Sequence, residues 1–338
     1  MVWLPHAGNR IIFSRKENIM RKIITILLLL TVLTAPLFGC DNAEISETSD
    51  PQNTAGVVLR TTPNPKTDFE YSVLENGKIR ITKYIGTDTE ILIPDTIDDA
   101  DVIELGDNAF AESDITSIVM STTLRRIGSW TFENCTELRY VELKPTIERI
   151  DAWTFSGCTS LKYIKIYPKM FDVSVNVFAQ CGLERIEFEE GIKIIPEGMF
   201  GGCNNLKAVK LPSSVEKIEP YAFVNCRNLK SIELNDGVVE IKPYAFQGSA
   251  LTEITIPKTV KKVFSSSFFK CDRLRKIIFE GDAPENFVFD LFPSHPAVDP
   301  KETLYTIYYH KGAKGFDSDI WNDFSIKTVE ESSEKPKQ

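Results

Sequence analysis

The stretch FENCTELRYVEL, Phe132 to Leu143, places a cysteine three residues after a phenylalanine, and the chain repeats that spacing five more times. With Phe132 as index, the same residue type recurs at Phe110, Phe155, Phe178, Phe200, Phe223, Phe246 and Phe268, in steps of 22, 23, 23, 22, 23, 23 and 22. In the 23-residue steps the next apolar residue stands at offset six (Leu138, Leu161, Leu206, Leu229). In the 22-residue steps it stands at offset five (Ile115, Leu183, Leu251), so one residue is missing from the same loop each time.

From that residue the pattern runs L-x-x-I-x-L, as in Leu138/Val141/Leu143, Leu161/Ile164/Ile166 and Leu206/Val209/Leu211. Its last two apolar positions alternate with polar ones, which predicts a short strand with one buried face. A second apolar pair follows (Ile147/Ile150, Met170/Val173, Ile192/Ile195, Val215/Ile218, Val238/Ile241, Val260/Val263), and Pro145, Pro168, Pro212 and Pro257 stand where the strand should end. One such unit buries too little apolar surface to fold alone. The units must stack into a solenoid with a parallel sheet along one side and neighbour-to-neighbour cooperativity.

The segments NCTELRYVEL, GCNNLKAVKLP and NCRNLKSIELN resemble the BspA-like leucine-rich repeat family, the treponemal type of about 23 residues. The resemblance runs from about Phe69 to Ile326. It implies a leucine-rich repeat solenoid, a curved right-handed stack with a parallel β-sheet on one face, found on bacterial surface proteins and associated with adhesion or host-protein binding. The ends fit a capped stack. FEYSVLENGKIRITKYIG carries Asn76-Gly77 between two alternating runs, which predicts a hairpin with a type I′ turn. After Phe279 the repeat gives way to an aromatic-rich segment suited to a β-rich C-terminal cap. The expected layout is a cap over 69–109, repeats over 110–279, a second cap over 280–329 and a solvated tail over 330–338.

The N-terminus reads as an export signal. Met20 is followed by Arg21 and Lys22, an apolar run from Ile23 to Leu33, small residues and Cys40. LFGC, Leu37 to Cys40, resembles a bacterial lipobox, which implies lipid attachment at Cys40 after cleavage. The alternative is an uncleaved anchor, for which the run falls short of the ~20 residues that span hydrocarbon. Residues 1–19 are unlike a signal's first segment and read as an over-extended start; residues 20–39 are the signal, and 40–68 form a polar tether. Without residues 1–39, 34 cations face 47 anions, a formal charge of −13, which disfavours nucleic acid and anionic lipid surfaces as charge-driven partners.

Six of the seven cysteines, Cys135, Cys158, Cys181, Cys203, Cys226 and Cys271, share the position three after the phenylalanine; Ser113 and Ser249 fill it in the other two units. Stacked equivalents point in parallel, so their Cβ atoms keep the ~4.8 Å strand spacing, beyond the ~3.8 Å mean of disulfides. A linear column also cannot surround a metal with four thiolates. Buried free thiols acting as small apolar packing residues are expected, and no metal or cofactor. No GxSxG, HExxH or Gly-rich phosphate loop is present, and of the three histidines His6 precedes the signal, leaving His295 and His310. The expectation is a non-enzyme; a hydrolase with a carboxylate and histidine site built from Asp299, His310 and Asp317 in the C-terminal cap is the weaker alternative.

The outward residues of the sheet should be Ser117/Val119, Tyr140/Glu142, Tyr163/Lys165, Arg185/Glu187, Ala208/Lys210, Ser231/Glu233, Glu253/Thr255 and Lys276/Ile278. Glu142, Lys165, Glu187, Lys210 and Glu233 alternate in sign along one column, which predicts a cross-strand charge ladder worth about 0.2–1 kcal/mol per step. Tyr140, Tyr163 and Arg185 lie in line and are of the types that anchor interfaces, which makes them the candidate partner contacts; two tyrosines stabilising each other is the structural alternative. The functional expectation is a membrane-anchored, exported surface protein whose repeat face binds a protein or matrix partner. A scaffolding role in the envelope, without soluble ligand, is the alternative.

Overall fold

The computed structural model describes residues 59–170, 174–264, 266–287, 306–318, 321 and 325–329, all within the compact unit Pro51–Gln338. The signal, Cys40, most of the tether, Val173, His295, Asp299 and the tail lie outside the described residues. The described chain is a parallel β-solenoid with a short 3-10 turn at Lys66–Asp68.

The L-x-x-I-x-L segments form the main ladder. Its repeat strands run Ser117–Val119, Tyr140–Glu142, Tyr163–Ile166, Arg185–Phe188, Ala208–Lys210, Ser231–Glu233, Glu253–Ile256 and Lys276–Phe279. Equivalent repeat positions sit side by side: Ile118 with Val141, Ile164 with Ile186, Val209 with Ile232, Ile254 with Ile277. The pairing is interrupted between Tyr140–Glu142 and Tyr163–Ile166, between Arg185–Phe188 and Ala208–Lys210, and between Ser231–Glu233 and Glu253–Ile256.

A second parallel ladder, not expected from the sequence, follows the second apolar pair. It is built of two-residue strands such as Arg149–Ile150, Ile194–Ile195, Lys217–Ile218, Glu240–Ile241 and Lys262–Val263, in each of which the isoleucine or valine closing the pair is buried. Two residues are too few to show an alternation, so this ladder left no periodic signal of its own.

The core is organised by the phenylalanines. Tyr84, Phe110, Phe132, Phe155, Phe178, Phe200, Phe223, Phe246 and Phe268 form one column, with successive centroids 5.0–6.0 Å apart and ring planes within 27° of parallel. In every one of the eight repeat units the residues two before and two after the phenylalanine have positive φ: Trp130 and Asn134 (54° and 55°), Asn176 and Gln180 (55° and 59°), Tyr221 and Asn225 (59° and 55°), and so on along the stack. These left-handed positions turn the chain sharply on either side of the ring. They let the intervening amides reach the next coil, as in Trp130 N to Ala152 O, Phe132 N to Thr154 O and Asn134 N to Ser156 O at 3.1, 2.8 and 2.8 Å.

The cysteine column is buried and its thiols are free. The expectation of purely apolar packing is incomplete, because each thiol donates to the carbonyl of the phenylalanine one coil earlier. The Sγ atoms of Cys135, Cys158, Cys181, Cys203, Cys226 and Cys271 lie 3.0–3.2 Å from the oxygens of Phe110, Phe132, Phe155, Phe178, Phe200 and Phe246. Each of those carbonyls also accepts an amide inside its own coil, such as Cys135 N on Phe132 O at 3.2 Å. Both lone pairs of a buried carbonyl are thereby used, which satisfies the demand that buried polar groups be paired. Burial pushes the Cys135 and Cys226 thiols up to about 12 and Cys271 to about 11, so all three stay protonated donors at neutral pH.

Both ends are closed. Phe69–Val73 and Ile79–Tyr84 form the N-terminal antiparallel hairpin, and Ile79–Tyr84 joins the second ladder in parallel. Its turn departs from the expected type I′. Gly77 alone has positive φ (77°), and Leu74 N and Gly77 N bond to Lys78 O and Leu74 O at 2.8 and 2.9 Å. That is the three-residue loop in which a type I turn is followed by a left-handed glycine, an arrangement that spares Asn76 the positive φ of type I′. At the other end Thr306–His310 and Ser325–Val329 extend the main ladder beyond Lys276–Phe279. Phe316 and Trp321 close over Phe279, with centroids 5.4 and 5.9 Å from its ring.

Candidate interaction surface

The outward face of the main ladder divides in two. Over its N-terminal half, large side chains satisfy one another. Tyr140, expected to face solvent, is only 6% exposed, and the adjacent Ser117, in register with it, is 1% exposed. Tyr140 Oη lies 3.3 Å from Glu142 Oε2, and Tyr163 Oη donates to Glu187 at 2.8 Å. The Arg185 guanidinium stands 5.1 Å above the Tyr163 ring and donates to Glu187 at 3.2 Å. Burial and the bond to Glu187 push the Tyr163 phenol well up, while hydrogen bonding from Lys165 holds the Glu187 carboxyl below its usual range. The structure therefore brings Tyr163 and Arg185 together in adjacent, registered strands, and sets Tyr140 on the next coil with its ring withdrawn from solvent.

The charge ladder is formed in segments. Lys165 bridges to Glu187 at 2.9 Å and Lys210 to Glu233 at 2.8 Å. Among the described residues no ion pair joins Glu142 to Lys165 or Glu187 to Lys210, and those are two of the places where strand pairing stops. Where the strands separate, the opposite charges on their outward positions separate with them.

Beyond Arg185 the outward residues become small: Ala208 and Ser231 occupy the column that Tyr140 and Tyr163 fill earlier. A groove of about 660 Å³ opens there, with Ile186, Val209 and Ile232 along it and Lys210, Glu233 and Glu253 at its rim. Next to it lies a second hollow of about 480 Å³ that reaches Phe188 and Glu190. Positions expected to be fully inward, Ile186, Phe188 and Leu234, are half-buried here. The groove crosses two interruptions of the ladder, and the loosened strands and short side chains leave core positions open to solvent. Consecutive small residues in one outward column were the available signal for this groove, and only the large ones drew notice in the sequence.

Along the second ladder, charged side chains pair between coils. Arg80 and Arg126 both reach Glu104, at 2.6 and 3.3 Å, and Arg126 and Arg149 both reach Asp151. In the C-terminal cap His310 Nε2 lies 3.0 Å from Glu280 Oε2, Asp317 is exposed, and Asp299 falls outside the described residues. Among the described residues no group of three or more His, Cys, Asp or Glu side chains is placed to hold a metal.

Eight phenylalanine-centred coils, two parallel ladders and an open sheet face define a leucine-rich repeat solenoid. The chain belongs to the bacterial family described as the BspA type leucine rich repeat region, which it matches in six copies over residues 89–207 and 193–286. It is similar in fold to a leucine-rich repeat protein from Bacteroides ovatus, with 23% identity and a TM-score of 0.54 over 78% of this chain and 75% of that one. It also resembles the Treponema pallidum leucine rich repeat protein (26% identity, TM-score 0.46, 63% of this chain and 91% of that one). A leucine rich cell surface protein from Faecalibacterium prausnitzii matches at 26% identity and a TM-score of 0.46, over 65% of this chain and 55% of that one. No curated protein matches the sequence.

Proposed function

We propose that this chain is an exported, lipid-anchored surface protein, attached through Cys40, whose main sheet face binds a protein partner in adhesion or matrix recognition. The observation that carries the reading is the groove between Arg185 and Thr255. Ile186, Val209 and Ile232 line it beside the Lys210–Glu233 pair, and Ile186 is half-buried. An apolar floor with a charged rim is the composition of protein-binding surfaces, and Tyr163 and Arg185 at its N-terminal edge are interface-prone residues already held in place by one another. The role is binding and not catalysis. A pull-down from host extracts or native surfaces with the wild-type chain, compared with Ser231→Arg and Arg185→Glu, tests it. The variants should lose the captured partner while keeping wild-type thermal unfolding, and equal capture by all three would refute the groove. Labelling intact cells with a membrane-impermeant reagent tests the surface location, and mass spectrometry of the N-terminal peptide tests the lipid at Cys40.

A further inference from the structure

The missing residue in the 22-residue units leaves a mark in the loop that leads into a main-ladder strand. In the unit of Phe246, Gly248-Ser249-Ala250 leads directly to Leu251, where the preceding unit has Asn225-Cys226-Arg227-Asn228 and the following one Lys270-Cys271-Asp272-Arg273. The shorter, small-residue loop is a notch of about 540 Å³, walled by Asn225 and Arg227 on one side and by Lys270, Asp272 and Arg273 on the other, with Gln247 in its lining. Three cations stand against one carboxylate there, in a chain that is strongly acidic as a whole.

The arginines are distinctive. Every other arginine among the described residues is engaged, by a carboxylate or, for Arg275, by the carbonyls of Asp272 and Leu274. Arg227 and Arg273 have neither an ion pair nor a side-chain hydrogen bond among the described residues, and both line this notch. The stack supplies an internal comparison. The equivalent deletion at Gly182 is flanked by Thr159-Ser160 and Asn204-Asn205, all uncharged, and Asn205 Nδ2 reaches Gly182 O at 3.3 Å. A short loop alone therefore does not bring unpaired cations with it.

Arg227 and Arg273 belong to coils two steps apart, roughly 9–10 Å at the backbone given the spacing of paired strands. That gap admits one sugar ring or a group of its size. The Asn225 and Gln247 amides can both donate and accept, as hydroxyls require. Lys270 also lies 5.4 Å over the Phe269 ring, which meets Tyr244 edge-on at 6.2 Å, and Tyr244 stacks on Tyr221 at 5.1 Å, so an aromatic strip leads away from the notch. A long polyanion would meet the acidic remainder of the chain, but charges beyond about 8 Å are largely screened at physiological salt. A single acidic group would feel mainly the local cations.

We infer that this notch binds a sugar residue bearing a carboxylate or sulfate, with Arg227 and Arg273 taking the oxyanion from opposite walls and the two amides the hydroxyls. The test is calorimetric titration of the full chain with a uronic-acid disaccharide, a sulfated disaccharide and a neutral disaccharide. One or both acidic sugars should bind and the neutral one should not; which acid binds identifies the natural group. Arg227→Ala with Arg273→Ala should weaken binding at least about tenfold, since a charged hydrogen bond contributes on the order of 1.5–3 kcal/mol. Gln247→Glu, which changes charge with little change of size, should weaken it comparably and settles the matter if the double variant does not fold. Failure of both acidic sugars to bind, equal binding of the neutral sugar, or wild-type affinity in the folded variants overturns the inference.

Discussion

Truncation of Phe155 tests the load carried by the aromatic column. Its ring is fully buried and stacked between Phe132 at 5.0 Å and Phe178 at 5.3 Å, with interplanar angles of 9° and 8°. Phe155→Ala should cost about 3–5 kcal/mol, the usual range for a buried phenylalanine whose cavity does not collapse. Of that, two ring contacts at about 0.5–1.5 kcal/mol each account for roughly 1–3. Phe155→Leu keeps most of the apolar area and should lose chiefly the stacking share. Because coils stabilise only their neighbours, the alanine variant should also weaken coupling between the two halves of the stack. Urea unfolding followed by far-UV circular dichroism and by tryptophan emission reads both effects, and Trp130 and Trp153 report on the affected coils. A loss under about 1 kcal/mol for Phe155→Ala, or equal losses for alanine and leucine, would show that the column is not a continuous stabilising stack.

Further outcomes follow from the same geometry. The six column thiols should resist an aromatic disulfide reagent at pH 8 in the native protein and react after unfolding in guanidinium, because burial holds Cys135 and Cys226 near 12; rapid native labelling would contradict the thiol ladder. Cys203→Ser should be tolerated better than Cys203→Val, since a hydroxyl can still donate to Phe178 O and Val cannot; equal unfolding midpoints would show that the bond contributes nothing. Gly198→Ala should destabilise more than Gly77→Ala in the same urea assay: both have positive φ, costing about 1–2 kcal/mol for a side chain, but of the two only Gly198 would bring a Cβ against another atom, Asn176 Oδ1. Hydrogen bonds from Lys165 and Lys242 hold the Glu187 and Glu240 carboxyls below their ordinary 4.5. Their contribution is therefore complete above that value and is lost as pH falls through the lower folded values, so Glu187→Gln with Glu240→Gln should flatten the decline of unfolding midpoint below pH 4.5.

What was legible in the sequence was what side-chain identity dictates. The phenylalanine index, the buried members of L-x-x-I-x-L and the cysteine column were readable because burial selects those residue types at a fixed spacing. The left-handed pair around each phenylalanine was not. Asn, Trp, Gly, Tyr and Ser occupy the first of these positions, and Asn, Gly, Gln, Glu and Lys the second, so no residue type marks a conformation imposed by closing the coil against its neighbour. Tyr140 and Tyr163 were visible as aromatics on an outward column, but whether such a ring faces solvent or folds onto its neighbour depends on the adjacent strands. The groove over Ala208 and Ser231 and the notch at Ala250 are likewise relations among several coils, which no single repeat contains.

The thiol-to-carbonyl bonds give the stack a direction, each coil offering a donor backward and an acceptor forward. A unit carries both halves of the joint, so whole units are interchangeable at the level of the gene. Removing Phe200 to Ala222 would set Phe223 where Phe200 stood and Cys226 opposite Phe178 O, with every joint remade. Duplication and loss of complete coils can thus change the length of such a protein in single steps without passing through a misfolded intermediate sequence. A deletion out of register with the repeat has no such route.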